Sequence, residues 1–310
     1  MRWNDDWEGG SVRAKVVVPL GAVVLLVAYG AIWALAPLAA PLIRELWFLP
    51  PIGLLGATIA NTSGTGGGVV FVPVFNILRQ SGIMALDPTQ VVAASFLIQC
   101  FGMTMGALRW SSGLHRQPVA QRDSSARDYW AVIAVVMALS LPVMLATQRI
   151  ARFDPHDVLL AFKGFSIVLG LAVIATTWTV NRTRPPLPHV SARDFVMLAA
   201  IGLAGGFVTA LFSVGVGELV ALYLYIRHYP VVLCTGTAVT ISALSMLAGA
   251  PFHILAGHVV WEVVVLAVPG AVLGGYLARP IALWLGPNRL KTLDGCWIVA
   301  SSLYLIALNV

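Results

Sequence analysis

Nine apolar segments run through this chain, and their length constrains its fold before any motif is read. They cover residues 15–37, 47–78, 88–109, 129–147, 156–180, 195–227, 231–252, 258–280 and 289–309. About 20 apolar residues in helical form cross roughly 30 Å of hydrocarbon. Soluble domains carry roughly 25% charged residues, whereas this chain carries 10%, with 59% hydrophobic residues and a mean hydropathy of +0.87. That composition does not cover a water-facing surface. The reading is an all-α integral membrane protein with one membrane domain and no soluble appendage.

The formal net charge is +6, from 19 Lys+Arg against 13 Asp+Glu. Those cations sit in short loops between apolar blocks, where they set membrane orientation. The expected partner is therefore the lipid bilayer and not nucleic acid. Cys100, Cys234 and Cys296 lie in apolar segments without CxxC or Cys/His spacing, so they read as small core residues rather than disulfides or metal ligands. Residues 16–38 follow Arg13 and Lys15, as a leader would. The stretch is too long for an h-region, and Asp5, Asp6 and Glu8 do not suit an n-region. A retained first helix is expected.

Segments 47–78 and 195–227 are each about one and a half spans long, and glycines break both in the middle. One break reads Asn61-Thr62-Ser63-Gly64-Thr65-Gly66-Gly67-Gly68; the other reads Ser213-Val214-Gly215-Val216-Gly217-Glu218. Such runs propagate a helix poorly. Aligned without gaps, the two segments pair Gly53 with Gly202, Gly56 with Gly205, Gly66 with Gly215 and Gly68 with Gly217. Further on, Pro88 pairs with Pro230, Ser95 with Thr237, and Trp130 with Trp261. Landmarks in the same order in both halves indicate an internal repeat.

Charge then predicts topology. Loop 109–128 holds Arg109, Arg116, Arg122 and Arg127; loop 181–194 holds Arg182, Arg184 and Arg193; loop 279–291 holds Arg279, Arg289 and Lys291. Turn 252–258 holds no Lys or Arg. All three rich loops are cytoplasmic only if each long segment enters and returns on one side. The expected fold is then an inverted repeat, each unit a re-entrant or broken helix hairpin plus three transmembrane helices, preceded by one extra N-terminal helix. Its parts would be residues 1–45, 46–181 and 182–310, with the N-terminus on the cytoplasmic side and the C-terminus on the outer side. Inverted repeats with helices broken at mid-membrane characterise secondary transporters.

Irregular backbone at that depth survives only where it is buried in protein or lines a polar cavity. Asn61, Thr62, Ser63, Thr65, Gly66, Gly67 and Gly68 form the first candidate tip, and Ser213, Gly215 and Gly217 the second. A glycine nest opening a helix offers amide donors and a favourable dipole to an anion; close helix packing is the plainer role of such glycines. Glu218 follows the second tip directly. An ionised, unpaired carboxylate costs several kcal/mol there, so it is protonated, paired or facing water. It is either a proton-coupling site or a structural partner. Ser95, Gln99 and Thr237 add polar groups on the helices after the hairpins, Gln99 most strongly, since an amide in an apolar run needs a partner. Lys163 and Asp294 occupy nearly corresponding positions of the two halves.

Enzyme signatures are weak. His253, His258 and Glu262 fit no established metal spacing. Residues 64–68 lack the Gly-Lys-Ser/Thr ending of a P-loop, and the chain contains no Gly-x-Ser-x-Gly elbow. No cofactor is expected.

The run Gly64-Thr65-Gly66-Gly67-Gly68-Val69-Val70-Phe71-Val72-Pro73 resembles the glycine-rich signature of the sulfite exporter TauE/SafE family. Pro88…Ala93-Ala94-Ser95 and Pro230…Thr235-Gly236-Thr237 resemble its second element. The resemblance covers roughly residues 50–305. It implies a permease exporting sulfite, sulfoacetate or related organosulfonates, or moving other small organic acids, with Gly66, Gly67, Gly68, Ser95, Gly215, Gly217 and Thr237 lining the path. The second motif departs from the pattern, with Glu218 after its glycines and Leu222 at its proline position. An anion channel of the same architecture and an intramembrane enzyme or assembly factor are the alternatives; a homodimer is left open.

Overall fold

The computed structural model describes residues 12–116, 125–151, 153–179, 187 and 189–307. Every regular element among them is a helix: α1 (Val12–Leu35), α2 (Ala40–Glu45), α3 (Leu49–Ser63), α4 (Gly68–Gln80), α5 (Pro88–Arg116), α6 (Ala126–Ile150), α7 (Pro155–Thr179), α8 (Ala192–Phe212), α9 (Val216–Ile226), α10 (Val231–Leu255), α11 (Trp261–Leu285) and α12 (Pro287–Ala307). Seven of them, α1, α5, α6, α7, α8, α10 and α11, are long and apolar enough to cross a membrane. Helix α1 leaves Leu20, Leu26 and Val27 exposed, as a lipid-facing helix should, and is tied inward by the Tyr29 hydroxyl donating to the Val265 carbonyl.

Both long segments break. Helix α3 ends at Ser63 and α4 starts at Gly68; α8 ends at Phe212 and α9 starts at Val216. Gly64 and Gly66 turn the first chain at φ 82° and 58°, while Ser213 and Gly215 turn the second at φ 59° and 143°. Ser213 is a non-glycine in the left-handed region, a conformation kept only where its surroundings hold it. In each case the chain doubles back. The Phe71 ring stands against Gly56, and Val216 stands against Gly205. At the far end of α9, Tyr223 and Arg227 donate to the Asp194 carboxylate, two residues into α8. The legs are unequal, 15 and 13 residues in the first pair but 21 and 11 in the second. At 1.5 Å per residue the shortest leg reaches only about 17 Å.

Helices α5 and α10 form the central pair and run antiparallel: Phe96 meets Gly249 near one end and Trp110 meets Gly236 near the other. Helices α7 and α12 also cross antiparallel, Gly170 on Val299 and Ile174 on Gly295. The entering legs lie beside α11 and α6. A Cβ on Gly53 would overlap the Ala267 carbonyl, and one on Gly202 would stand 3.0 Å from the Val136 carbonyl. Glycine at these points lets backbones approach, as is usual where lipid gives no hydrophobic drive to associate.

Several sequence expectations change at the helix ends. Arg109, Arg279 and Lys291, counted as loop cations, are buried within helices. The Arg109 guanidinium lies 4.3 Å from the Tyr276 ring centre and donates to the Tyr276 carbonyl; long stems carry such charges across apolar surface. Arg127, Arg193 and Arg289 are exposed. Arg122, Arg182, Arg184 and the Arg116 side chain lie outside the described residues, as do Asp5, Asp6 and Glu8. Cys100 and Cys234 are buried, but Cys296 is exposed on α12 and is not a core residue.

Candidate functional site

The two turns meet halfway along α5 and α10, and Gln99 joins them. Its Oε1 accepts the Gly67 amide at 2.6 Å. Its Nε2 donates to the Ser213 hydroxyl at 2.7 Å and to the Ser95 hydroxyl at 3.0 Å. Ser213 in turn donates to Ser95 at 3.1 Å. All three side chains are within 1% of complete burial, so a full set of partners is what their polarity demands. Gly68 packs directly on the Ser213 carbonyl, where any Cβ would overlap.

Glu218 caps its own helix. Its Oε2 accepts the Gly215 amide at 2.7 Å, satisfying a donor that the helix start leaves open. Its Oε1 accepts no hydrogen bond among the described residues and faces the other turn, 2.7 Å from where a Gly66 Cβ would sit. Beside it Asp294 comes in from α12. Asp294 Oδ1 accepts from the Thr65 hydroxyl at 3.0 Å, and Thr65 is 2.7 Å from the Ser63 hydroxyl; Oδ2 accepts none. Glu218, Asp294, Lys291, Thr65, Ser63 and Tyr225 line one cavity of about 20 Å³. The Lys291 ammonium stands 3.4 Å above the Tyr225 ring centre.

The remaining expected site residues lie close by but spend their polar groups on helices. Asn61 and Thr62 belong to the last turns of α3, not to an open tip. Asn61 Nδ2 donates to the Ala57 carbonyl at 2.8 Å and Thr62 to the Ile59 carbonyl at 2.8 Å. The Asn61 carbonyl also receives the Trp110 indole at 3.0 Å. Thr237 donates to the Leu233 carbonyl at 2.6 Å, and Gly217 packs on the Ser242 hydroxyl. The first turn proper is therefore residues 64–67, shorter than the sequence suggests, because polar side chains can return hydrogen bonds to their own helix without ending it. Lys163 is buried on α7 and is absent from the 20 Å³ cavity.

Sequence reasoning underrated Asp294 and Lys291. The available signal was two ionisable residues one turn apart on a single apolar segment, which is costly unless they have partners. It also passed over Asp194, although Ser191-x-x-Asp194 is a legible capping pair. Asp194 accepts from Ser191, Tyr229 and Arg227 at 2.6, 2.6 and 2.8 Å, and from Tyr223. Burial and the Asp194 carboxylate push the Tyr229 phenol above its ordinary value.

A second cavity of about 340 Å³ opens between the ends of α5, α6, α7, α8 and α10, with His253, His258 and Gln148 in its wall. Glu218 is not in its lining and the two histidines are not in the lining of the 20 Å³ cavity, so Glu218 and the histidines do not share one cavity. Glu262 accepts from the Ala39 amide at 2.7 Å and is not in the lining of the histidine cavity.

Seven apolar membrane-length helices, two broken pairs and a buried polar junction between the breaks define a polytopic membrane protein. The chain belongs to the sulfite exporter TauE/SafE family, whose profile matches residues 49–305. It is a membrane transporter of that family. One relative, the "Probable membrane transporter protein YunE" of Bacillus subtilis (strain 168), is 25% identical over 245 residues, covering 74% of this chain and 86% of that protein. No solved structure matches the chain.

Proposed function

We propose that the protein is a proton-coupled secondary transporter that exports small sulfur-containing anions such as sulfite, sulfoacetate or other organosulfonates. It works from a bacterial inner membrane, with the N-terminus cytoplasmic and the C-terminus periplasmic. Residues 46–181 and 182–310 form two inverted halves behind the N-terminal stretch 1–45. The antiparallel crossing of α5 with α10 and of α7 with α12 supports inversion, since each pair joins corresponding helices. So does the packing of Gly53 on Ala267 and of its repeat mate Gly202 on Val136; the shift that pairs Trp130 with Trp261 also pairs Val136 with Ala267.

The single observation carrying the reading is that protein oxygens already occupy amide donors at both turns. Gln99 Oε1 sits on the Gly67 amide and Glu218 Oε2 on the Gly215 amide. These are the places an anion's oxygens would take, at helix starts that favour negative charge. On this reading those two bonds keep the path closed. A pyramidal or tetrahedral oxyanion entering between the turns would displace Gln99 Oε1 and accept the Gly67 amide together with the Gln99, Ser95 and Ser213 donors. An ionised Glu218 beside it would repel it, so protonation of Glu218 accompanies substrate entry and links the two fluxes. The family's description supplies the sulfite class.

The test is uptake of labelled sulfite by liposomes holding the purified chain. Saturable accumulation that follows an imposed pH gradient is expected. Conductance that never saturates would favour the channel, and the absence of any flux for sulfite and for organosulfonates would remove the reading.

A further inference from the structure

We infer that Glu218 and Asp294 together form one binding site for a single monovalent cation, a proton or a sodium ion, set between the two turns. The inference deepens the transport reading and rests on it for its physiological meaning. The site itself stands on geometry alone.

Both carboxyl groups are almost wholly enclosed, at 2% and 3% exposure. Each spends one oxygen within the protein, Glu218 on the Gly215 amide and Asp294 on the Thr65 hydroxyl. Each keeps its second oxygen, Oε1 and Oδ2, without a hydrogen bond. A buried acceptor in that state carries a desolvation cost, and a larger one when it is charged. Two such orphans in the wall of one cavity need a common occupant. The cavity's volume of about 20 Å³ holds one water-sized particle and no more. The hydroxyls of Ser63 and Thr65 also line it and supply neutral oxygens of the kind hard cations take.

Charge fixes the stoichiometry. The titratable groups facing the pair are Lys291 on α12 and Tyr225 on α9, with Cys234 of α10 close behind. With Tyr225 and Cys234 neutral, one ammonium offsets one carboxylate and leaves a single net negative charge. In a low-dielectric interior a lone charge is expensive. One added monovalent cation neutralises the group; a second would overshoot.

The placement also explains how such an ion could act on the path. Glu218 sits in the first turn of α9, Asp294 holds Thr65 of the opposite turn, and Glu218 Oε1 faces Gly66. A cation shared by the two carboxyl groups ties the first turn to α12 and relieves their mutual repulsion. Its departure leaves like charges facing each other across the junction, where they would repel an entering anion.

Thermal unfolding of the full chain in detergent tests this, with wild type, Glu218→Gln, Asp294→Asn and the double variant compared. Midpoints are read against pH at fixed ionic strength, and against sodium replaced by choline. The folded wild type holds one cation that the unfolded chain releases, so its stability rises with proton or sodium activity, with a slope of about one ion. A response to pH alone identifies the proton, and a saturable response to sodium at constant pH identifies the metal. The double variant should lose about one ion from that slope, and each single variant part of it. A double variant whose slopes equal the wild type's, or a wild type that responds to neither ion, overturns the site. Exchange of labelled sulfite across liposomes in the absence of any ion gradient is scored in parallel. Its absence in wild type would sink the transport reading while leaving the stability result, and hence the ion site, intact.

Discussion

Gln99 and Ser213 lie 2.7 Å apart, amide nitrogen to hydroxyl, although 114 residues separate them. The same side chain holds Gly67 by its other end. One amide thus fastens the turn of one broken helix to the turn of the other. Replacing Gln99 with Leu leaves the Gly67 amide and the Ser213 hydroxyl buried without this partner, at a cost of about 1–3 kcal/mol. Gln99→Leu should lower the unfolding midpoint and stop labelled-sulfite uptake. Gln99→Glu keeps the acceptor for Gly67 but loses the donor to Ser213 and adds charge, so uptake should also fail. Wild-type uptake by either variant would show that the junction is not on the path.

Gly67 has an ordinary helical φ of −72°, so its importance is one of space. A Cβ there would lie 2.6 Å from Gln99 Cγ and 2.9 Å from a Phe71 ring carbon. Gly67→Leu therefore displaces Gln99 without straining the backbone turn. The variant should remain a monodisperse folded protein by size-exclusion chromatography yet be inactive in liposomes. Retained sulfite uptake would refute the anion role given to this turn.

Glu218→Gln is nearly isosteric and can still accept the Gly215 amide through its side-chain oxygen. The variant should bind substrate with an unchanged KM but lose the dependence of transport on pH, because it no longer gains or loses a proton. The measurement is sulfite flux across a series of imposed pH gradients. A wild-type pH profile in Glu218→Gln would place coupling elsewhere.

Orientation is open to direct labelling. In a background with Cys100, Cys234 and Cys296 changed to Ser, cysteine placed at exposed Ala256 should react with a membrane-impermeant maleimide in intact cells. Cysteine at exposed Arg193 should react only after the membrane is opened. The reverse pattern would invert the topology read from the charged loops.

Much of this architecture was legible in the chain itself. Segment length placed the apolar helices, although nine segments resolve into twelve helices of which seven are of membrane length, and the glycine runs marked both breaks, because hydrophobicity and glycine's poor helix propensity act locally. Gln99 stood out for the same reason, as an amide with no local partner. What could not be read is where helices from distant parts of the chain bring their side chains. Asp294 reaches Thr65 across 229 residues, and Lys291 turns inward onto Tyr225 although counting charges in loops places it at the surface. Asn61 and Thr62 misled in the opposite sense. Polar residues next to glycines resemble a turn, yet their side chains bond to carbonyls one turn back and the helix continues.

Asp194 offers the clearest test of what keeps the second hairpin closed. Its carboxylate gathers donors from Ser191, Tyr223, Arg227 and Tyr229 and so ties the start of α8 to the end of α9. The Arg227 side chain is 45% exposed, and an ion pair of that kind contributes little by itself, about 0–1 kcal/mol. The phenols carry more, because they are partly or wholly enclosed and lose their acceptor together. Asp194→Ala, which takes the acceptor from all of these donors at once, should cost several times the about 1 kcal/mol expected of Tyr223→Phe, which removes one donor and leaves the rest. Arg227→Ala should change the unfolding midpoint least of the three. Were Arg227→Ala as damaging as Asp194→Ala, the hairpin's closure would be electrostatic, and its stability would fall with added salt instead of holding steady.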